Sequence, residues 1–267
     1  QNKLSYKFNR VSINSKEVKK NHLFIAIDGK NNDGHHYVKE AIKNGAKYSV
    51  ISKKIQKVNL KKIIKVDDTY DFLNKFALCK RGVTKAKIIA ITGSSGKTTV
   101  KTILSKLLNM FSSTFFSPKS YNNHYGVPIS LSNLEHHHKY GVFEIGMSNA
   151  GEINKLSKLV KPHIAVITNV AEAHIENFKN IKYIAKAKGE IISNIDPTGF
   201  LIINRDDKFY RYFNNLANKR NIKTISFGFS RKSDIHPIHI KNINNKKFIK
   251  VKIFNKELRF SFKNINT

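Results

Sequence analysis

The stretch K-I-I-A-I-T-G-S-S-G-K-T-T-V-K-T-I-L-S-K-L-L, Lys87 to Leu108, decides how the rest of the chain is read. Ile88 to Ile91 is a short apolar run suited to a buried strand, and Thr92 to Gly96 is a loop of small residues. From Lys97 onward, Val100, Ile103, Leu104, Leu107 and Leu108 recur at helical spacing. A strand, a tight loop and a helix in that order aim backbone N–H groups and the positive end of a helix dipole at one point, which suits a polyphosphate. Gly93 and Gly96 let the backbone turn and approach a ligand, Lys97 supplies a point charge for the outer phosphates, and the Thr98 hydroxyl is placed to meet Mg²⁺. The general phosphate-loop pattern has a further glycine where this chain has Ile91, so the match is to a shorter form, G-x-x-G-K-T-T. The plain alternative is an ordinary strand-to-helix turn with a chance lysine. Glycines, lysine and threonines all in register after a strand weigh against it.

Downstream, strands at 114–116, 142–145, 164–168, 200–203 and 224–227 alternate with helices near 127–134, 151–160, 181–195 and 207–218. That alternation predicts an α/β fold with a doubly wound, mainly parallel sheet covered on both faces and with ligands at the C-terminal ends of its strands. The tail differs: 235–240, 248–254 and 258–262 read as short antiparallel strands, with Asn255 and Lys256 as a hairpin turn. Upstream, a small α/β domain is expected. It has strands at 22–27, 48–51 and 63–66, a helix at 35–44 stopped by Gly45, and a helix at 70–80 carrying Phe72, Leu73, Phe76 and Leu78 and capped by Asp67 or Asp68. Gly82 and its polar neighbours place a boundary there, dividing the chain into 1–83 and 84–267.

The 267 residues, 40% of them hydrophobic, suffice for one large or two ordinary domains. A formal net charge of +31 would ordinarily suggest nucleic acid or an anionic surface. Here the lysines are spread along almost every segment beside abundant Asn and Ile, with no basic block interleaved with aromatics, so compositional drift explains the charge at least as well and no nucleic acid is expected. The single Cys79 excludes an internal disulfide, fits a reducing compartment, and reads as a small buried residue of a helix. No apolar run approaches the ~18 residues of a membrane span and no secretory leader is visible, although the chain starts at Gln1 rather than Met. The run His136, His137, His138 lies in a polar connection and reads as a solvated loop, because metal sites need spaced ligands.

Glu144 ends the strand V-F-E-I-G, a position from which a carboxylate reaches a phosphate-bound Mg²⁺; a solvated strand-end glutamate is the plainer reading. After the next strand, T-N-V-A-E-A-H offers Asn169 and His174, and spacing alone does not promote His174 to a metal ligand. Lys188, in A-K-A-K-G-E, reads on its own as a solvated surface lysine.

Taken together, T-G-S-S-G-K-T-T (92–99), Y-N-N-H-Y-G-V-P (121–128), E-I-G-M-S-N-A-G-E-I (144–153) and T-N-V-A-E-A-H-I-E (168–176) resemble the Mur ligase family of ATP-dependent amide-forming enzymes. The stretch N-S-K-E-V-K-K-N-H-L-F-I-A-I-D-G-K-N-N-D-G-H-H (14–36) is similar to that family's N-terminal elements. Within the family the motifs look most like those of members joining D-alanyl-D-alanine to a UDP-N-acetylmuramoyl-tripeptide, in cytoplasmic cell-wall precursor synthesis. The resemblance implies that Gly93, Ser94, Ser95, Gly96, Lys97, Thr98, Thr99 and Asn169 bind ATP. It also implies that Thr98, Glu144, His174 and a carbamoylated Lys188 hold Mg²⁺, with Lys97, His174 and Lys188 in catalytic roles. Asn122 and Asn123 would face the substrate near its reacting carboxylate, and Ser15, Lys16, Asp33, Gly34 and His35 would line the uridine nucleotide site. The enzyme is expected to be a monomer.

Asn14 and Lys16 stand where the family usually has Asp and Arg, and lysine cannot make a planar bidentate clamp. The family's third, C-terminal domain, with its G-x-H-N-x-x-N segment, is absent before Thr267, so this chain by itself is expected to have weak or no ligase activity. Rival readings are another Mur-type ligase or a folate polyglutamate ligase, both disfavoured by Y-N-N-H-Y-G-V-P. A basic phosphate-loop ATPase acting on nucleic acid is a third.

Overall fold

The computed structural model describes residues 7–29, 31–172, 178, 180–244 and 246–263. Strands β1 (Arg10–Ser12), β2 (His22–Ile25), β3 (Ala46–Ile51) and β4 (Ile63–Lys65) form an all-parallel sheet in the order β1-β2-β3-β4. The apolar run from Leu23 to Ile27, which contains most of β2, is what a strand buried on both faces requires. Leu23 and Ile25 pack with Leu73 of helix α2 (Thr69–Val83), while Phe24 and Ala26 face Val38 and Ala41 of α1 (Val38–Lys43). The expected helix at 35–44 begins as a 3-10 turn, Gly34–Tyr37, in which the His35 amide donates to the Asp33 carboxylate. Of the two candidate caps for α2, Asp68 serves, accepting from Tyr70 N and Asp71 N at 2.7 and 2.8 Å. Cys79 is exposed, a correction to its buried reading: Leu73 and Ala77 carry the buried stripe of α2, and Leu78 beside Cys79 is 47% exposed.

The second sheet is built from β5 (Lys87–Thr92), β6 (Thr114–Phe116), β7 (Tyr140–Glu144), β8 (Ile164–Ile167), β9 (Phe200–Asn204), β10 (Lys223–Phe227), β11 (Ile235–Ile243), β12 (Lys246–Ile253) and β13 (Lys256–Lys263). Its order is β13-β12-β11-β10-β9-β8-β5-β7-β6, parallel from β6 to β11 and antiparallel for the last two strands. Connecting helices are α3 (Lys97–Asn109), α4 (Gly126–Ser132), α5 (Glu152–Val160), α6 (Ile181–Gly189) and α7 (Tyr210–Asn218). The chain leaves β5 for β6 and β7 on one side and returns to β8 on the other, so the strand order reverses at the loop after β5, where such sheets bind ligands.

Alternation along β5 sends Ile88 and Ala90 into the large core with α4 to α7, and Ile89 and Ile91 onto Val100, Leu104 and Leu108 of α3. The face of α3 is rotated from the expected apolar stripe: Ile103 and Leu107 are 55% and 51% exposed, while Lys101 and Ser105 are 2% and 1% exposed. In the tail the hairpin turn falls one residue earlier than expected, on Phe254 and Asn255, because Ile253 pairs with Lys256.

The two sheets meet through α2. Arg81 donates to the Val160 and Lys161 carbonyls at the end of α5, both at 2.6 Å, and Asn133 pairs both backbone groups of Val11 at 2.9 Å, closing the edge of β1. Between them lies a cleft of about 1240 Å³ running from the β1 side to the loop after β5.

Candidate active site

The loop after β5 is held open by its glycines and by β8. Gly93 takes φ +149°, and a Cβ there would sit 1.8 Å from the Thr168 hydroxyl oxygen. Thr168 in turn donates to Ser95 O at 2.7 Å. Asn169 latches the loop: its carbonyl accepts from Ser94 N and its side chain both accepts from Ser95 N and donates to Ser95 Oγ, at 3.0, 3.0 and 2.8 Å. The Ser94 hydroxyl donates to Ala171 O and accepts from Ala171 N, both at 2.9 Å. Asn169, Ser94 and Ser95 are thus spent on loop shape. The open donors are the first amides of α3, whose N-cap is Gly96 at φ +78° with no side-chain cap. Gly93→Ala is expected to cost roughly 2 kcal/mol of stability and to lose nucleotide binding, checked by denaturant titration and a fluorescent ATP analogue. Unchanged binding would contradict this account of the loop.

Lys97 folds back over the loop, with Nζ donating to Gly93 O at 2.8 Å, and burial pulls its pKa down against the attraction of Glu144. Glu144, 1% exposed, is no solvated strand-end residue: Oε2 accepts from Thr98 Oγ1 at 2.9 Å, and Oε1 from Asn122 Nδ2 at 2.8 Å. Lys188 is 4% exposed, which overturns its reading from pattern alone as a solvated lysine. Its ammonium has no hydrogen bond or ion pair among the described residues, and burial, then the charge of Lys97, push its pKa down to about 7.

The cleft is lined by expected residues: Ser15, Lys16 and Gly34 from the first sheet's side, and Gly93, Ser94, Lys97, Asn122, Asn123 and Lys188 from the second's. Asp33 and His35 are engaged otherwise. Asp33 binds Lys53 Nζ at 2.7 Å and His35 Nδ1 at 2.6 Å, while His35 Nε2 accepts from Ser52 N at 2.9 Å, so both hold the turn that presents Gly34. Burial raises the Asp33 pKa, but hydrogen bonds from Lys53 and His35 outweigh it and hold the carboxyl well below its usual range. Asn123 accepts from Tyr125 N and Gly126 N and so shapes the start of α4. Ser15 donates to Glu40 at 2.7 Å. His174 lies outside the described residues. Two contributors went unnoticed in the sequence: Lys101, buried against Glu144 at 3.2 Å, and the aromatic cleft wall of Tyr37, His124 and Tyr125. The helical spacing from Lys97 to Lys101 was the available signal for the first.

A family model described as the Mur ligase middle domain matches residues 91–265, and one described as the Mur ligase family, catalytic domain, matches residues 7–81. The chain belongs to the Mur ligase family. Its relatives include the UDP-N-acetylmuramoyl-tripeptide–D-alanyl-D-alanine ligase of Rickettsia prowazekii, 40% identical over 92% of this chain and 57% of that protein. The Escherichia coli K12 ligase of the same name is 33% identical over 75% of this chain and 44% of that protein. Among solved structures, the MurF ligase of Thermotoga maritima in complex with ADP aligns with TM-score 0.80 and 31% identity over 95% of this chain and 58% of that one. A MurF crystal structure from Acinetobacter baumannii gives TM-score 0.86 and 28% identity over 98% and 56%. This Mur ligase chain therefore spans about half the length of the relatives it matches.

As to Mg²⁺, Thr98 and Glu144 are suitable hard oxygen donors already in contact with each other. Lys188 fits only as its carbamate: an ammonium repels the ion, whereas a carbamate supplies carboxylate-like oxygens.

Proposed function

We propose that this chain supplies the ATP site and the UDP-substrate site of a ligase that joins D-alanyl-D-alanine to UDP-N-acetylmuramoyl-tripeptide, with residues 1–83 and 84–267 as its two domains. The observation that carries the reading is the single cleft, with Ser15, Gly34 and Tyr37 at one end and Gly93, Lys97 and Lys188 at the other. A long substrate seated at the first end has room to bring its terminal carboxylate to the phosphate loop.

The substrate carboxylate attacks the γ-phosphorus of ATP and ADP leaves. The amine of the dipeptide adds to the resulting acyl phosphate, and the tetrahedral intermediate expels phosphate as the amide forms. Lys97 and the open amides of α3 face the charge that grows on the transferring phosphoryl group, so catalysis by this chain is positioning and electrostatics. Thr98, Glu144 and carbamoylated Lys188 would hold Mg²⁺, which supplies neutralisation of the same charge. His174 completes the proposed donor set. The basic surface would hasten capture of two polyanionic substrates in a salt-sensitive manner.

A cytoplasmic, monomeric enzyme is part of the proposal; no helix among the described residues is long and apolar enough to cross a membrane. The test is phosphate release by the full-length gene product with substrates omitted in turn. Release requiring both the UDP-tripeptide and D-alanyl-D-alanine supports the reading. Release driven by another amino acid, or by DNA or RNA alone, overturns it.

A further inference from the structure

Lys101 lies one helical turn beyond Lys97 on α3 and is among the largest fully buried side chains of the chain. Its Nζ is 3.2 Å from Glu144 Oε2 and donates a hydrogen bond to the Lys119 carbonyl. Lys119 stands three residues before Asn122 on the connection from β6 to α4, and Asn122 binds the other oxygen of Glu144. One buried ammonium therefore joins the end of β7 to the connection that carries Asn122.

Packing does not demand a cation at this position. The residues of α3 that cover the sheet are Val100, Leu104 and Leu108, and an apolar side chain of lysine's length would fill the space without desolvating a charge. Buried ion pairs are commonly no more stabilising than apolar groups of the same volume, and their best-attested use is to select one arrangement. Here the arrangement selected is that of Glu144, buried at the end of β7, and Asn122, which binds it and lines the cleft.

We infer that Lys101 is a positioning residue, whose ammonium holds the Glu144 carboxylate and the Lys119 carbonyl together so that Asn122, which lines the cleft, and Glu144 behind it keep one geometry. The kinetic consequence rests on the ligase reading; the contact itself does not.

The test uses the full-length gene product and Lys101→Met. Without nucleotide or metal, amide exchange over residues 119–123 is expected to rise at least about tenfold, while the amides of α3 beyond its first turn keep their protection. In turnover, kcat is expected to fall at least about tenfold with KM for ATP nearly unchanged, because the phosphate loop is untouched. If Lys101→Met does not fold, the double variant Lys101→Met/Glu144→Gln, which no longer buries an unpaired carboxylate, carries the exchange measurement. Unchanged exchange over 119–123, equal acceleration along the whole of α3, or wild-type kcat would each overturn the inference. A wild-type protein that ignores both ligase substrates defeats the ligase reading and leaves the exchange result to decide Lys101.

Discussion

Lys97→Ala is expected to abolish turnover and to leave the fold intact. The side chain is half-buried beside the loop that the glycines keep open, and among the described residues its only hydrogen bonds are to Gly93 O and Ser94 O. Those carbonyl contacts are local and replaceable by water, and burial already disfavours the ammonium, so its removal has little to cost the folded state. In the proposed reaction the same charge would face a phosphoryl group passing between two oxygens. Losing one such stabiliser costs at least about 10²-fold in rate. The measurement is kcat alongside a thermal melt. Activity near wild type would remove Lys97 from the phosphate site, and a collapsed melt would make it a structural lysine. Because Lys97 also lowers the pKa of Lys188, the variant should raise that pKa.

The second large effect is at Lys188. At a pKa of about 7, roughly half of its amine is neutral at pH 7, the form that adds to CO₂ to give a carbamate. The carbamate is the species proposed to face Mg²⁺. Lys188→Ala is therefore expected to lose nearly all turnover, to regain part of it with acetate or propionate, and to gain nothing from bicarbonate. Wild-type turnover in that variant without additives would sink the carbamate proposal. The unmodified lysine also leaves a signature in stability. Its folded pKa is below its unfolded value, so the unfolded chain binds more protons between about pH 7 and pH 10.5. The cost of burying the ammonium is fully present below pH 7 and fades as pH rises through that window. In CO₂-free buffer, wild type should gain stability over this range relative to Lys188→Met, and parallel profiles would contradict the burial argument.

Local chemistry is what made the phosphate loop and the strand ends readable. The glycines, Lys97 and Thr98 sit within a few residues of each other, and Glu144 and Asn169 follow apolar runs that could only be central strands. Asp68 and Gly45 declared helix ends in the same way. What escaped depends on contacts between segments distant in the chain. Lys188 follows a surface-like pattern on α6, yet it is buried where that helix borders the cleft. Lys101 reads as a polar position of an amphipathic helix, yet α3 is rotated so that its lysine faces Glu144 while Ile103 and Leu107 face outward. The three-residue strand β1 has too short a pattern to register, and is fixed by pairing with β2 and by the Asn133 amide. Asp33 and His35 illustrate the converse: a recognisable motif drew attention to their side chains, whereas the fold uses those side chains to hold a turn and offers Gly34 to the cleft.

The central claim is that this cleft serves amide formation between a UDP-linked tripeptide and a dipeptide. Mass spectrometry of the UDP-linked product, after incubating the full-length gene product with ATP, Mg²⁺ and both substrates, tests it most directly. The account predicts a UDP-N-acetylmuramoyl-pentapeptide, with the tripeptide and dipeptide joined through a new amide and one ADP formed per product. ATP consumed with the tripeptide unchanged, or extended by a residue other than D-alanyl-D-alanine, would contradict it.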